Sequence, residues 1–302
     1  MKVLVTGGAG FVGTNLIKRL LKDGHEVTSV DNYSTGFKEN HQKGCRYYEN
    51  DLSSDHILGI YVDHGTYPSW RDEDFDIIFH LAALARIQPS FDEPVETFKS
   101  NVLATTNVLD LARKKNIPVV YAGSSSAHGD LHANPYTFTK WQGEELVTLY
   151  NKIYNIPTAI CRFYNVYGPH QLVDGPYCTV VGVFMKQYED GDDITVTWDG
   201  EQRRDFTHVY DIVDGLVRSG TSLLDEGVGL VSGQTFELGT GKNYSINELA
   251  DGFGGHPKIN IPKRDGEMRT TLCTDKKAHD LLGWEPKEDL LDFVRDFVNN
   301  QK

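Results

Sequence analysis

Apolar and polar positions follow two regimes along the first half of this chain. Short, nearly continuous apolar runs (KVLVTG at 2–7, EVTSVD at 26–31, DIIFHLAA at 76–83, IPVVYAG at 117–123, PTAICRFY at 157–164) have the length and β-branched content of strands buried on both faces. Between them lie TNLIKRLLKDG at 14–24, ETFKSNVLATTNVLDLARKKN at 96–116 and HANPYTFTKWQGEEL at 132–146, which read as helices. Such alternation predicts an α/β domain on a doubly wound parallel sheet. After residue 164 the pattern turns irregular, with NVYGPHQLVDGPY at 165–177, a short strand ITVTW at 194–198, and terminal helices near 275–283 and 287–299. No repeat or linker divides the chain. The reading is a first domain over 1–164 and a smaller, interleaved lobe over 165–302, with parts of 205–240 returning to the first.

Composition narrows the class. The 302 residues suffice for two lobes around a substantial core, and 39% hydrophobic with 24% charged residues is a globular, soluble balance. The N-terminal KVLVTGGAGFVG is too short and too glycine-rich for a signal peptide or a span, so the expectation is a cytoplasmic protein with no membrane partner. Cys45, Cys161, Cys178 and Cys273 are far apart, without metal-ligand spacing; they read as reduced packing thiols, and no metal is expected. A net charge of -13 argues against nucleic acid and anionic membranes. An anionic ligand needs a local basic site working against that field.

The first chemistry is in VTGGAGFVGTNL at 5–16, where Gly7, Gly10 and Gly13 follow a strand and open a helix. Glycines there permit a tight turn and let the backbone approach a pyrophosphate at the positive end of the helix. Asp31 closes the second strand, eighteen residues after Gly13. A carboxylate at that point accepts ribose hydroxyls and repels a 2′-phosphate, and no arginine follows directly in DNYSTG, so NAD is favoured over NADP. The expected fold is of Rossmann type.

The second is in GSSSAHGDLHANPYTFTK at 123–140. Asn134 suits a helix N-cap and Pro135 the first helical position, so Tyr136 and Lys140 fall one turn apart on one face. A free phenol, with a pKa of about 10, is a poor base at neutral pH; a nearby ammonium and a bound cationic nicotinamide favour the phenolate. Ser124, at the end of the preceding strand, is placed to share a substrate proton.

These stretches, with DN at 31–32, NDL at 50–52, FHLAA at 79–83, RFYNVYGP at 162–169, DGEQRRDFTHV at 199–209, FELGTG at 236–241 and KRDGEMR at 263–269, occur in the order of one family. The chain resembles the extended short-chain dehydrogenases/reductases, in particular the NAD-dependent nucleotide-sugar epimerase/dehydratase group. The resemblance implies catalysis by Ser124, Tyr136 and Lys140. It implies a cofactor lined by Gly7, Gly10, Phe11, Val12, Gly13, Asp31, Asn32, Asp51, Leu52, Leu81, Ala82, Ala83, Asn101 and Tyr164, with Lys140 also on the nicotinamide ribose. It implies a nucleotide-sugar substrate whose diphosphate is held by Asn165, Arg204 and Arg269, and a homodimer through the helices near 95–115 and after Asn134. His80 reads as a packed strand-end residue, and His128, where relatives usually carry tyrosine, as a loop-surface residue.

The resemblance also narrows the reaction. Relatives that eliminate water carry acidic residues directly after the catalytic serine or threonine; this chain has Ser125 and Ser126, whose hydroxyls are not acids or bases near neutral pH. What remains is reversible oxidation at C4: proton removal by Tyr136, a 4-keto sugar that rotates about its diphosphate, and reduction on the other face. The reading is therefore a UDP-glucose/UDP-galactose 4-epimerase. By resemblance Thr271 gates the C2 substituent and, being small, admits N-acetyl sugars. A 4,6-dehydratase using other acids, or a non-catalytic NAD-binding scaffold, remain as alternatives. Two departures bear on the sugar pocket: only eleven residues separate Ser124 from Tyr136, and NELADGFGGHPKINIPKR is abbreviated.

Overall fold

The structure, a computed structural model, describes residues 1–54, 69–225 and 228–301. In chain order it contains β1 (Lys2–Thr6), α1 (Phe11–Lys22), β2 (Glu26–Asp31), β3 (Cys45–Glu49), β4 (Ile77–His80), α2 (Ile87–Asp92), α3 (Pro94–Phe98), α4 (Ala104–Lys115), β5 (Val119–Ser124), α5 (Pro135–Tyr154) and β6 (Thr158–Phe163). There follow α6 (Val180–Asp190), β7 (Ile194–Thr197), β8 (Arg203–Asp205), α7 (Val209–Leu224), α8 (Val228–Val231), β9 (Gln234–Leu238), β10 (Asn243–Ser245), α9 (Ile246–Asp251), β11 (Lys258–Ile261), α10 (Lys277–Leu282) and α11 (Leu290–Asn300).

Seven strands form one parallel sheet in the order β3-β2-β1-β4-β5-β6-β9, the expected doubly wound, Rossmann-type arrangement. The inner strands β1, β4 and β5 are buried along almost their whole length because both faces are covered. Val3 and Val5 of β1, with Ile77 and Phe79 of β4, pack under α1, α7 and α10; Leu4 and Ile78, one residue out of phase, pack under α4 and α5. The strand order reverses beside β1, so a crevice opens at the carboxyl ends of β1 and β4.

A second core, built around Phe184, Ile194, Leu249, Phe253, Val294 and Val298, joins α6, α9 and α11 to the small sheets β10-β8 and β11-β7. The chain passes between the two units: α7 lies on the large sheet and β9 extends it, while β8 and β10 stay with the small lobe. Helix α9 has only six residues and ends in a turn where Gly254 and Gly255 take positive φ. Among the described residues no helix is long and apolar enough to cross a membrane.

Candidate active site

A cavity of about 510 Å³ lies at the carboxyl ends of the central strands, in the size range of small-molecule sites. One end is made by the turn between β1 and α1. Gly7 has φ +72°, and a Cβ there would sit 2.8 Å from the Ala82 nitrogen; a Cβ on Gly13 would sit 2.2 Å from the Gly7 carbonyl oxygen. The sequence therefore needs glycine at both positions for the turn to close. Helix α1 has no side-chain cap and no acidic residue in its first turn, which leaves its N-terminal amides to the cavity. Asp31, at the end of β2, accepts the amides of Ala9 (2.9 Å) and Tyr33 (2.8 Å). Burial raises its pKa, and those two amides oppose the rise.

Gly7, Gly10, Phe11, Val12, Gly13, Asp31, Asn32, Asp51, Leu52 and Leu81 to Ala83 all line this end. An uncapped helix N-terminus, a cradle that a Cβ would fill and a buried carboxylate beyond it fit a dinucleotide. Two expected lining residues are elsewhere. Asn101 is fully buried in a π-helical turn (Lys99–Leu103); its amide bonds the Leu84 backbone on both sides (2.8 and 3.0 Å) and Thr139 (3.0 Å). It fixes the loop after β4 instead of facing the cavity. Tyr164 is also buried away from the lining, its ring against Gly239 and near His128.

At the other end β5 and α5 bring the serine, tyrosine and lysine together. Asn134 caps α5 by accepting the Thr137 amide (2.8 Å), and Pro135 follows it. Tyr136 Oη donates to Ser124 Oγ (3.2 Å), which also contacts Ser126 Oγ (2.9 Å). Lys140 takes another course from the one its spacing suggests. Its Nζ donates to Tyr121 Oη (3.0 Å) and the Ala122 carbonyl (2.6 Å), both on β5. Burial pulls the ammonium down to about 8, partly offset by Glu144. Burial also raises the Tyr136 pKa; the Ser124 hydrogen bond opposes it first, then the charge of Arg86.

Behind Ser124 lies a buried ionic cluster. Glu144 accepts the Ser124 amide (3.2 Å) and pairs with Arg162 (2.7 Å), which also reaches Glu237 (3.0 Å). Half-exposed His128 contacts the same Glu237 (3.0 Å) from the turn after β5. His80 is fully buried between the hydroxyls of Thr6 (2.7 Å) and Thr105 (3.0 Å). Its pKa is pushed down to about 3, by burial and then by the Lys140 charge, so it is a neutral packing residue.

Asn165, Arg204 and Thr271 line the small-lobe wall. Asn165 donates to the Asp205 carbonyl (2.7 Å) and to Thr271 Oγ1 (3.1 Å). The Asp205 carboxylate gathers the amides of Thr240, Gly241 and Cys273, holding the strand that carries Arg204. Arg204 faces Glu267 at 3.6 Å. Arg269 is not brought to the cavity: its guanidinium makes two bonds to Asp199 (2.8 and 3.0 Å) and stacks on Trp198. Arg203, beside it, bonds Asn243. Two lining arginines escaped the sequence reading, Arg86 and Arg264.

With the geometry in place, the chain can be set beside known proteins. Residues 3–228 match the NAD dependent epimerase/dehydratase family. UDP-glucose 4-epimerase of Mycolicibacterium smegmatis is 31% identical over 95% of this chain and 94% of that one. UDP-glucuronic acid decarboxylase 1 of Xenopus tropicalis is 31% identical over 94% of this chain and 68% of that one. The solved UDP-glucose 4-epimerase of Thermotoga maritima, with UDP-glucose, aligns at a TM-score of 0.87 and 27% identity, covering 99% of this chain and 98% of that one. A glycine turn shaped for a dinucleotide, with tyrosine and serine converging beyond it, has the same meaning as these likenesses: the chain belongs to the NAD-dependent epimerase/dehydratase family, with NAD as its cofactor.

Proposed function

We propose that this protein is a UDP-sugar 4-epimerase. The observation that carries the reading is the Tyr136 Oη to Ser124 Oγ contact, with Ser126 as the next hydroxyl in line. This chain of neutral hydroxyls can pass a proton to or from a sugar oxygen but offers no acid to expel a hydroxyl. NAD, when bound at the glycine turn, supplies the redox partner for C4. The chain's own residues do the rest. Tyr136 takes the 4-hydroxyl proton and later returns one; Ser124 shares it; Lys140, anchored on β5, holds positive charge beneath the site. Asn165 and Arg204 grip the diphosphate while the 4-keto sugar turns, and Thr271 governs room at C2. Similarity to both epimerases and decarboxylases leaves C4 oxidation as the step they share.

The test incubates the protein with UDP-glucose, UDP-galactose, their N-acetyl forms and UDP-glucuronate, and identifies products by NMR. The expected result is an isomer of equal mass. Tyr136→Phe should keep fold and NAD while losing turnover by about 1,000-fold. Near-normal turnover in that variant overturns the mechanism. We further read the protein as a cytoplasmic homodimer, on the strength of its composition and of apolar residues left exposed on α3 and α5, among them Val95, Leu149 and Ile153.

A further inference from the structure

The buried phenol of Tyr121, on β5, takes no part in the reaction as described, yet Lys140 is built onto it. The ammonium donates to Tyr121 Oη (3.0 Å) and to the Ala122 carbonyl (2.6 Å), and it lies 4.4 Å from the centre of the Tyr121 ring. An ammonium has three N–H groups, so one is left for the cavity that Lys140 lines. Helix α5 makes room for the phenol at a cost to itself. Gly143 sits in mid-helix, where glycine is the poorest residue after proline, and a Cβ there would overlap Tyr121 Oη. An alanine at this position would drive the hydroxyl off the lysine.

Beyond the phenol a row of side chains fixes which way its proton points. Thr6 Oγ1 accepts the amides of Leu81 and Ala82 (3.2 Å each), so its own proton goes to His80 Nδ1 (2.7 Å). Neutral His80 then donates from Nε2 to Thr105 Oγ1 (3.0 Å), and Thr105 gives its proton to the Asn101 carbonyl (2.7 Å). Tyr121 is hydrogen-bonded with Thr105. With the Thr105 proton spent, the phenol is the donor of that pair, and its lone pairs are turned to Lys140. We infer that Tyr121 is a positioning residue: its hydroxyl holds the Lys140 ammonium beneath the cavity as an ion, for bound NAD and for the Tyr136 phenol. Its catalytic part rests on the C4 oxidation proposed above. Glu144 of α5, itself tied to Arg162 of β6, is the anion that supports the same charge. His80 of β4 and the phenols of Tyr121 and Tyr136 are kept neutral by burial.

The experiment measures the NAD dissociation constant by calorimetry, after removal of bound nucleotide, from about pH 6 to 9.5. It compares wild type, Tyr121→Phe, Lys140→Met and the double variant. Tyr121→Phe removes one oxygen and keeps the ring that fills the core. Burial already brings the Lys140 ammonium down to about 8, so wild-type affinity should fall through that pH. Losing a hydrogen bond to a charged group should bring the fall about one pH unit lower in Tyr121→Phe, with Kd about tenfold above wild type at pH 9. Lys140→Met should bind NAD weakly at every pH, and adding Tyr121→Phe to it should change Kd by less than about twofold. A midpoint unmoved in Tyr121→Phe, or a Kd raised by one factor at all pH values, means a merely structural phenol and overturns the inference. So does an equal loss with Lys140 absent. The alkaline limb of kcat/KM with UDP-glucose should shift by the same unit; a limb that stays put overturns the part played toward Tyr136. Absence of turnover overturns the 4-epimerase reading alone, because the NAD titration decides Tyr121 without a substrate.

Discussion

Lys140 shows how far a single residue can be read and where reading stops. Its helical spacing from Tyr136 was visible, and so was the glycine turn with Asp31, because each is a local pattern of a few residues. Its hydrogen-bond partners were not: Tyr121 and Ala122 are on another element, and only the β5–α5 packing brings them beneath it. Arg86 was missed for the same reason, since only the fold brings it to the cavity wall. Arg269 shows the converse. Its motif was recognisable, but Asp199 and Trp198 hold it at the surface. A stability prediction follows from the burial of Lys140, whose folded pKa of about 8 is below the ordinary lysine value. At pH values under about 8 both folded and unfolded forms are charged, and the folded form carries the whole penalty. Between about 8 and 10.4 the unfolded chain binds more protons, so this site's contribution improves as pH rises. Urea unfolding at pH 7.5 and 10.4 should show wild type gaining on the order of 3 kcal/mol relative to Lys140→Met. An unchanged gap contradicts the buried, destabilised ammonium.

Elements were legible where burial imposed one period. The strands β1, β2, β4, β5 and β6 are apolar runs because both their faces are covered, and α5 announced itself by its cap and proline. Strand β3 was not seen: it is an edge strand, CRYYE, with no fully buried residue and no alternation to detect. Helix α7 was also missed, although its apolar stripe is strong, because Gly215 and Gly220 interrupt the pattern. Both are there for packing, since a Cβ would lie 2.6 Å from Leu238 at the first and 2.6 Å from Phe79 at the second. The ionic cluster behind Ser124 joins β5, β6, β9 and α5, and it supports the turn that carries the catalytic serine. Arg162→Met leaves Glu144 and Glu237 buried without their cation. Such a break costs about 3–5 kcal/mol, and the expected result is a lower unfolding midpoint with a further loss of turnover. Stability within about 0.5 kcal/mol of wild type would mean that the cluster does not hold these elements together.

For the whole molecule, the alternation of strands and helices was enough to give the doubly wound sheet, because connection and handedness rules leave few other ways to bury those runs. The small lobe was legible only in part: the ITVTW strand and the terminal helices were readable, but β8, β10 and β11 are three or four residues long, and the core at Phe184, Phe253 and Val294 is assembled from distant segments. Assembly is a prediction at this scale. Leu146 and Tyr150 of α5 pack against the subunit's own core, whereas Leu149 and Ile153 are exposed, the latter at 61%. Sedimentation at micromolar concentration should give a dimer, and Ile153→Asp should shift it toward monomer; a wild-type monomer contradicts the reading. The central claim is that the hydrogen removed from C4 returns to C4 after the sugar turns, with no proton chemistry at its neighbours. Its most direct test is turnover in D2O with NMR and mass analysis of the nucleotide sugar. The account predicts the C4 epimer at unchanged mass, without deuterium at C4, C5 or C6. Deuterium at C5, or a product lighter by water or by CO2, would contradict it.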